Sequence, residues 1–253
     1  MSTLHIIMPM AGEGSRFKNE GYTIPKPLIE LEGRELYRHA LDSLNTLEAD
    51  EFKYTFIVRE EFYGVISKQI WKSYPNANIL SVKETTKGAL ETVMLAEDYI
   101  EEDDYVIVMD CDLEFESEEF IGELNDAIDN IEPMLLSFYS RDPKYSYVAI
   151  NDLNDVINVA EKEVISTHAI GGCYCLGSGK LFKKCAKMYI YDFYKGKINS
   201  PEIYISLIYN YIINECETPV NVYDMNFHED HYWSYGTPYD LEHYDYNRNI
   251  WDV

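Results

Sequence analysis

Between Met10 and Leu28 the chain reads MAGEGSRFKNEGYTIPKPL, which puts two glycines, a serine and an arginine into one short turn and a lysine between two prolines soon after. Gly12 and Gly14 allow backbone conformations closed to other residues and let N–H groups approach an anion with no Cβ in the way, which suits a phosphate cradle. Arg16, two residues past the second glycine, brings a guanidinium able to form paired hydrogen bonds to phosphate oxygens. Pro25 and Pro27 bracket Lys26, and the second of them favours an extended Lys26. A purely geometric turn with an exposed lysine is the plain alternative. Cations clustered beside a glycine loop in an acidic chain point instead to a polyphosphate.

A second cluster, YVIVMDCDLEF, sets Asp110 and Asp112 just past the carboxyl end of an apolar strand, where open α/β sheets bind ligands. Period-two geometry points both carboxylates the same way, and two hard oxygen donors suit Mg²⁺ bridging phosphate oxygens. The alternative is an acidic loop with no cation.

The elements that must position these groups alternate. Leu4–Met8 reads as a buried strand leading into the glycine turn, and apolar positions Tyr37, Ala40, Leu41 and Leu44 recur at helical spacing after Arg34. Strand Lys53–Val58, helix Glu61–Trp71, strand Asn78–Val82, a helix from Gly88 to Ile100 and strand Tyr105–Met109 follow. This order predicts an α/β fold with a mainly parallel open sheet, helices on both faces. Past Pro133 the runs Met134–Tyr139, Tyr147–Ile150, Val156–Ala160 and Gly172–Leu176 lack long helices between them, which predicts an antiparallel extension. Ser200-Pro201-Glu202 has the composition of a helix start, and Thr237-Pro238 repeats it before Tyr239–Tyr246.

At 253 residues the chain is expected to form one domain. A formal charge of −24 argues against nucleic acid as a partner. No Lys or Arg lies between Lys87 and Arg141 while acids are dense from Glu97 to Glu132, which reads as a solvated acidic face. No apolar run is long enough to span a bilayer and no leader precedes Leu4, so a cytoplasmic protein without a membrane partner is expected, with a homo-oligomer left open. The five cysteines form an odd set without a CxxC pair and read as buried thiols; Cys173 and Cys175 fall on one strand face but lack further ligands at zinc spacing.

GEGSR followed by PKPLI resembles the signature of the sugar-phosphate nucleotidylyltransferases. By that resemblance Met10, Ala11, Gly12, Glu13, Gly14, Ser15 and Arg16 wrap a nucleoside triphosphate, Arg16 stabilises its phosphates and Lys26 contacts the reacting ones. TTKGALETV is similar to the loop that borders the base, assigning Gly88 and Ala89 to it, with Lys83 and Glu84 facing the base and Asp110 also near the nucleotide. Glu161-Lys162, ISTHAIGGCYCLGSG and YGTPYDLEHY resemble blocks lining the acceptor pocket, which assigns Glu161, Lys162, Gly172 and Tyr235 to substrate and Lys162 also to catalysis. Residues 1–132 would bind nucleotide and 133–253 the acceptor.

The implied reaction joins a nucleoside monophosphate, CMP from CTP by the nearest resemblance, to a phosphorylated small molecule such as phosphoglutamine or a sugar 1-phosphate, with Mg²⁺ held by Asp110 and Asp112. That resemblance is to a short branch associated with bacterial capsule synthesis. One departure is plain: tyrosine stands in Trp233-Ser234-Tyr235-Gly236-Thr237 where the family's block carries its second metal aspartate, leaving Asp110 or Asp230 as the other ligand and His228 and His231 as ordinary polar residues. Phosphocholine is a further acceptor candidate, because Glu229, Asp230, Tyr232, Trp233 and Tyr235 could surround a cation. The Asp-x-Asp also suits a glycosyltransferase using a finished NDP-sugar, although the loop arginine and Pro-Lys-Pro lysine count against it. A nucleotide-binding paralogue without the chemistry is the remaining alternative.

Overall fold

The computed structural model describes residues 2–225 and 230–244. Strand β1 (Thr3–Met10), buried along most of its length, runs into the glycine turn and the short helix α1 (Ser15–Asn19). A 3₁₀ turn at Lys26–Leu28 and the small ribbon of β2 (Glu30–Leu31) and β3 (Arg34–Glu35) lead to α2 (Leu36–Asp42). Next come β4 (Glu51–Arg59), α3 (Tyr63–Ser73), β5 (Asn78–Val82), α4 (Ala89–Met94) and β6 (Tyr105–Met109). β1 lies between β4 and β6 with β5 outside β4, all parallel.

Both faces of this parallel sheet are covered, which is why its strands read as unbroken apolar runs. Ile6, Met8, Ile107 and Met109 face one core with Tyr37 and Leu41 of α2. Ile7, Val106 and Val108 face the other with Leu90 and Val93 of α4. No helix of the described residues is long and apolar enough to cross a membrane.

The second half adds β7 (Leu113–Glu116), α5 (Glu118–Asn130), β8 (Met134–Tyr139), β9 (Ser146–Ile150), β10 (Val156–Glu161), β11 (His168–Ser178), α6 (Gly179–Tyr194), α7 (Ile208–Glu215), β12 (Asn221–Asp224), β13 (His231–Ser234) and α8 (Pro238–Glu242). β11 runs antiparallel to β6, β8 and β9, while β12 lies parallel to β8 and β13 pairs with β7. Among the described residues the sheet thus has nine strands, parallel from β6 through β1 and β4 to β5 and mainly antiparallel on the other side, as the sequence predicts.

Several local expectations are corrected. The helix from Gly88 to Ile100 is split into α4 and a 3₁₀ turn at Glu97–Tyr99. Ser200-Pro201-Glu202 does not start a helix. Ile203 there spends its backbone on tertiary bonds, its N–H donating to Lys87 O at 2.8 Å and its carbonyl accepting from Leu90 at 3.1 Å, so the helix waits until Ile208. The Thr237-Pro238 signal does begin a helix, with the Thr237 hydroxyl accepting from the Asp240 N–H, but α8 ends at Glu242, and Tyr246 lies outside the described residues.

Candidate active site

The glycine turn is built by backbone geometry. Gly14 caps α1 with φ 61°, a left-handed conformation that favours glycine, and Arg16 of α1 reaches the main cavity. Met10, Gly12, Glu13, Gly14 and Lys26 share a hollow of about 30 Å³, while Ala11 is buried at the strand end and Ser15 opens α1. The extended conformation expected at Lys26 falls on Pro25 instead (ψ 133°). Lys26 opens the 3₁₀ turn, closed by Leu28 N–H donating to Pro25 O at 2.8 Å, with Pro27 and Leu28 buried beneath.

That turn aims the Lys26 ammonium at Asp112, to which it donates a hydrogen bond, with the Phe17 ring 5.4 Å beneath it. Burial alone would lower the lysine, but Asp112 and its neighbours outweigh this and hold it above its usual value. Asp110, at the end of β6, has its N–H bonded to Gly172 O at 2.9 Å. Burial, then the Asp112 charge, pushes its carboxyl up to about 8 against the pull of Lys26. Gly172 has φ 71°, and a Cβ there would sit 2.8 Å from Asp110 Oδ2 and from Leu113 Cδ2. Only glycine lets β11 lie this close to the carboxylate.

Asp110, Asp112 and Gly172 open into a cavity of about 250 Å³, while Lys26 lies in the adjoining hollow. Glu161 lines it at the end of β10, its carboxylate accepting from the Ser146 and Ser206 hydroxyls. Lys162, in the left-handed region at φ 56°, donates to the Tyr204 hydroxyl at 3.0 Å on the cavity wall. Ala89 at the start of α4 also faces in. Residues the sequence reading did not single out for the site complete the lining, chiefly Lys144, Tyr145, Ser206 and Asp240. Lys144 had one legible signal: it is among the first cations after the basic-free stretch that ends at Arg141.

Other expected residues lie elsewhere. The Tyr235 ring is buried in a third cluster with Phe17, Leu36 and Trp233, its hydroxyl donating to Glu114 at 2.6 Å; what reaches the site is its backbone N–H, which donates to Asp112 O. Lys83 is on the surface near Glu60. Gly88 (φ 154°) serves packing, because a Cβ there would be 2.5 Å from Ile203 backbone atoms. Its loop still meets the glycine turn, where Thr85 Oγ1 donates to Glu13 at 3.3 Å. Asp230 accepts from the Tyr223 hydroxyl at 2.7 Å and His231 stacks on Trp233; of the suggested cation-binding group only Tyr232 lines the cavity, and His228 and Glu229 lie outside the described residues. All five cysteines are free thiols.

The fold is shared with proteins of known structure. The nucleoside-diphosphate-sugar pyrophosphorylase from Vibrio cholerae RC9 superposes with a TM-score of 0.74 at 23% identity, over 96% of this chain and 99% of that one. A putative glucose-1-phosphate thymidylyltransferase from Bacillus anthracis gives 0.75 at 19% identity over 100% and 96%, and the inositol-1-phosphate CTP transferase from T. maritima 0.71 at 17% over 99% and 97%. No curated protein is significantly similar in sequence. Residues 6–160, which carry the glycine turn, Lys26, Asp110 and Asp112, match the MobA-like NTP transferase domain. The chain belongs to that family and is a nucleotidyltransferase.

Proposed function

We propose that the protein transfers CMP from CTP to the phosphate of a small molecule, either phosphoglutamine or a sugar 1-phosphate, in a Mg²⁺-dependent reaction serving capsule or surface-glycan synthesis. The observation that carries this reading is the convergence of Arg16, Asp110, Asp112 and Glu161 on one cavity, with Lys26 bonded to Asp112 from the adjoining hollow. In this reaction an acceptor phosphate oxygen attacks the α-phosphorus, the bond to the β-phosphate oxygen breaks, and pyrophosphate leaves with the electron pair. A phosphate nucleophile needs no strong base, so positioning and charge stabilisation suffice. The glycine turn presents backbone N–H groups to the triphosphate, Arg16 and Lys26 stabilise charge on its phosphates, and Lys162, bonded to Tyr204 of the lining, steadies the acceptor phosphate. Residues 1–132 would thus handle nucleotide and 133–253 acceptor.

The carboxylate pair fits Mg²⁺. Asp110 lies half-buried beside Asp112 with Lys26 as the nearby cation, and burial first, then the Asp112 charge, raises its carboxyl. No third His, Cys, Asp or Glu completes a metal cluster among the described residues, in keeping with an ion that takes few protein ligands and shares the rest with phosphate and water. Asp110 and Asp112 would hold it, and when bound it supplies neutralising charge to the triphosphate oxygens. The choice of CTP rests on the sequence resemblance and on the CTP transferase among the structural relatives. Incubating the protein with each common triphosphate and a panel of phosphorylated acceptors, with and without Mg²⁺, tests the reading: acceptor-dependent pyrophosphate release from CTP is expected, and its absence with every pairing overturns it.

A further inference from the structure

Lys144 and Asp240 both line the cavity that Asp110 and Asp112 line, on segments almost a hundred residues apart. The Lys144 ammonium is 3.6 Å from Asp240 Oδ1, too long for a hydrogen bond. Each partner is held by a neighbour in the lining, Asp240 by Thr237 and Lys144 by Tyr145. Asp240 Oδ2 accepts from the Thr237 hydroxyl at 2.7 Å, which fixes the carboxylate at the start of α8 and leaves Oδ1 open. Lys144 lies over the Tyr145 ring at 4.9 Å and near the exposed Asp142 carboxylate at 3.7 Å. The cavity therefore offers a hydrogen-bond donor and an acceptor side by side, of opposite charge and not bonded to each other.

We propose that Lys144 and Asp240 are a specificity-determining pair that reads the head of the acceptor, the part beyond its phosphate, admitting a head with no net charge that both donates and accepts hydrogen bonds. The inference rests on the nucleotidylyl-transfer reading of the same cavity. A hydroxyl set between the two accepts from the ammonium and donates to Oδ1, and a head carrying both charges satisfies them together. A head with an unbalanced positive charge is opposed by Lys144, and one with an unbalanced negative charge by Asp240, with Asp142 behind. Burying a charge without a partner is what the pair penalises. Phosphocholine and acidic sugar phosphates are excluded on this ground, whereas phosphoglutamine and neutral sugar phosphates are admitted.

The test uses acceptors graded by head charge: glucose 1-phosphate and phosphoglutamine (neutral overall), glucosamine 1-phosphate and phosphocholine (positive), and glucuronic acid 1-phosphate (negative), each with CTP and the other triphosphates. The parent should favour a neutral head by about tenfold to a hundredfold in kcat/KM, the size of a hydrogen bond to a charged group. Asp240→Asn keeps the cap on α8 but leaves Lys144 unbalanced, and should shift preference toward glucuronic acid 1-phosphate. Lys144→Met should shift it toward the positive heads. Both changes should act on acceptor KM and leave the KM for triphosphate unaltered, and a merely structural role would not invert a charge preference. An unchanged ranking in both variants, or a parent preference for a charged head, overturns the inference while transfer itself stands. No turnover of any pairing overturns both.

Discussion

Gly172→Ala isolates the contribution of carboxylate placement. The new Cβ would lie 2.8 Å from Asp110 Oδ2, whereas unstrained contact begins near 3.4 Å, so 0.6 Å must be recovered by moving the carboxylate or β11. A displacement of about 1 Å at a reacting centre can cost a hundredfold in rate, so kcat should fall by about tenfold to a hundredfold. The left-handed φ of 71° adds backbone strain of about 1–2 kcal/mol. In a chain of this size that lowers Tm by about 2–8 °C. Gly33→Ala is the matched control, with φ 80° and nothing within 4 Å of the added Cβ. Pyrophosphate release and thermal unfolding, measured on both variants, should show a similar loss of Tm but a loss of kcat in Gly172→Ala alone. A Gly172→Ala enzyme with parental kcat, or a Gly33→Ala enzyme equally impaired, would refute the reasoning.

Lys26→Met removes the cation from Asp112 and the contact to the reacting phosphates, and kcat should drop by about a hundredfold, roughly 3 kcal/mol, in protein that circular dichroism shows to be folded; a rate within threefold of the parent contradicts the role. Gly88→Ala forces a Cβ to within 2.5 Å of the Ile203 backbone and should cost about 3–5 kcal/mol in denaturant unfolding, with little change in midpoint as the opposing result. His39 is raised above its usual 6.5, first by its hydrogen bond to Glu114, against burial. Because the folded value lies above the unfolded one, its stabilisation is complete below about pH 6.5 and fades as pH climbs through the folded value. His39→Gln should flatten that part of the Tm–pH profile, and a profile identical to the parent's would show that the Glu114 contact carries no charge.

The parallel half of the fold was legible because strands buried on both faces leave a strong local imprint, as in YVIVM and LHIIM. The glycine turn, Arg16, Lys26, Asp110 and Asp112 were legible because their chemistry and spacing are local. Helix α5 was obscured by its own charge: Glu118, Glu119, Glu123 and Asp126 sit on the solvent side, while Phe120, Ile121, Leu124, Ala127 and Ile128 form the stripe that docks on the sheet. Ser200-Pro201-Glu202 misled because capping chemistry is local and the pairing of Ile203 with Lys87 and Leu90 is not. Lys144 and Asp240 meet only after the chain has folded. Tyr235 shows the limit of transferring a motif by position, since its ring turns into a packed cluster and only its backbone serves the site.

β11 hydrogen-bonds to β6 through Cys173–Cys175 and to β8 on its other edge, so the two halves of the molecule are laced into one ladder with no seam. Rigid-body jaws cannot open along such a ladder without tearing it. Whatever narrowing accompanies a bound nucleotide must come from the short segments at the rim, those carrying Arg16, Tyr204 and Asp240. Amide exchange should therefore slow there on ligation while the central strands keep the same protection.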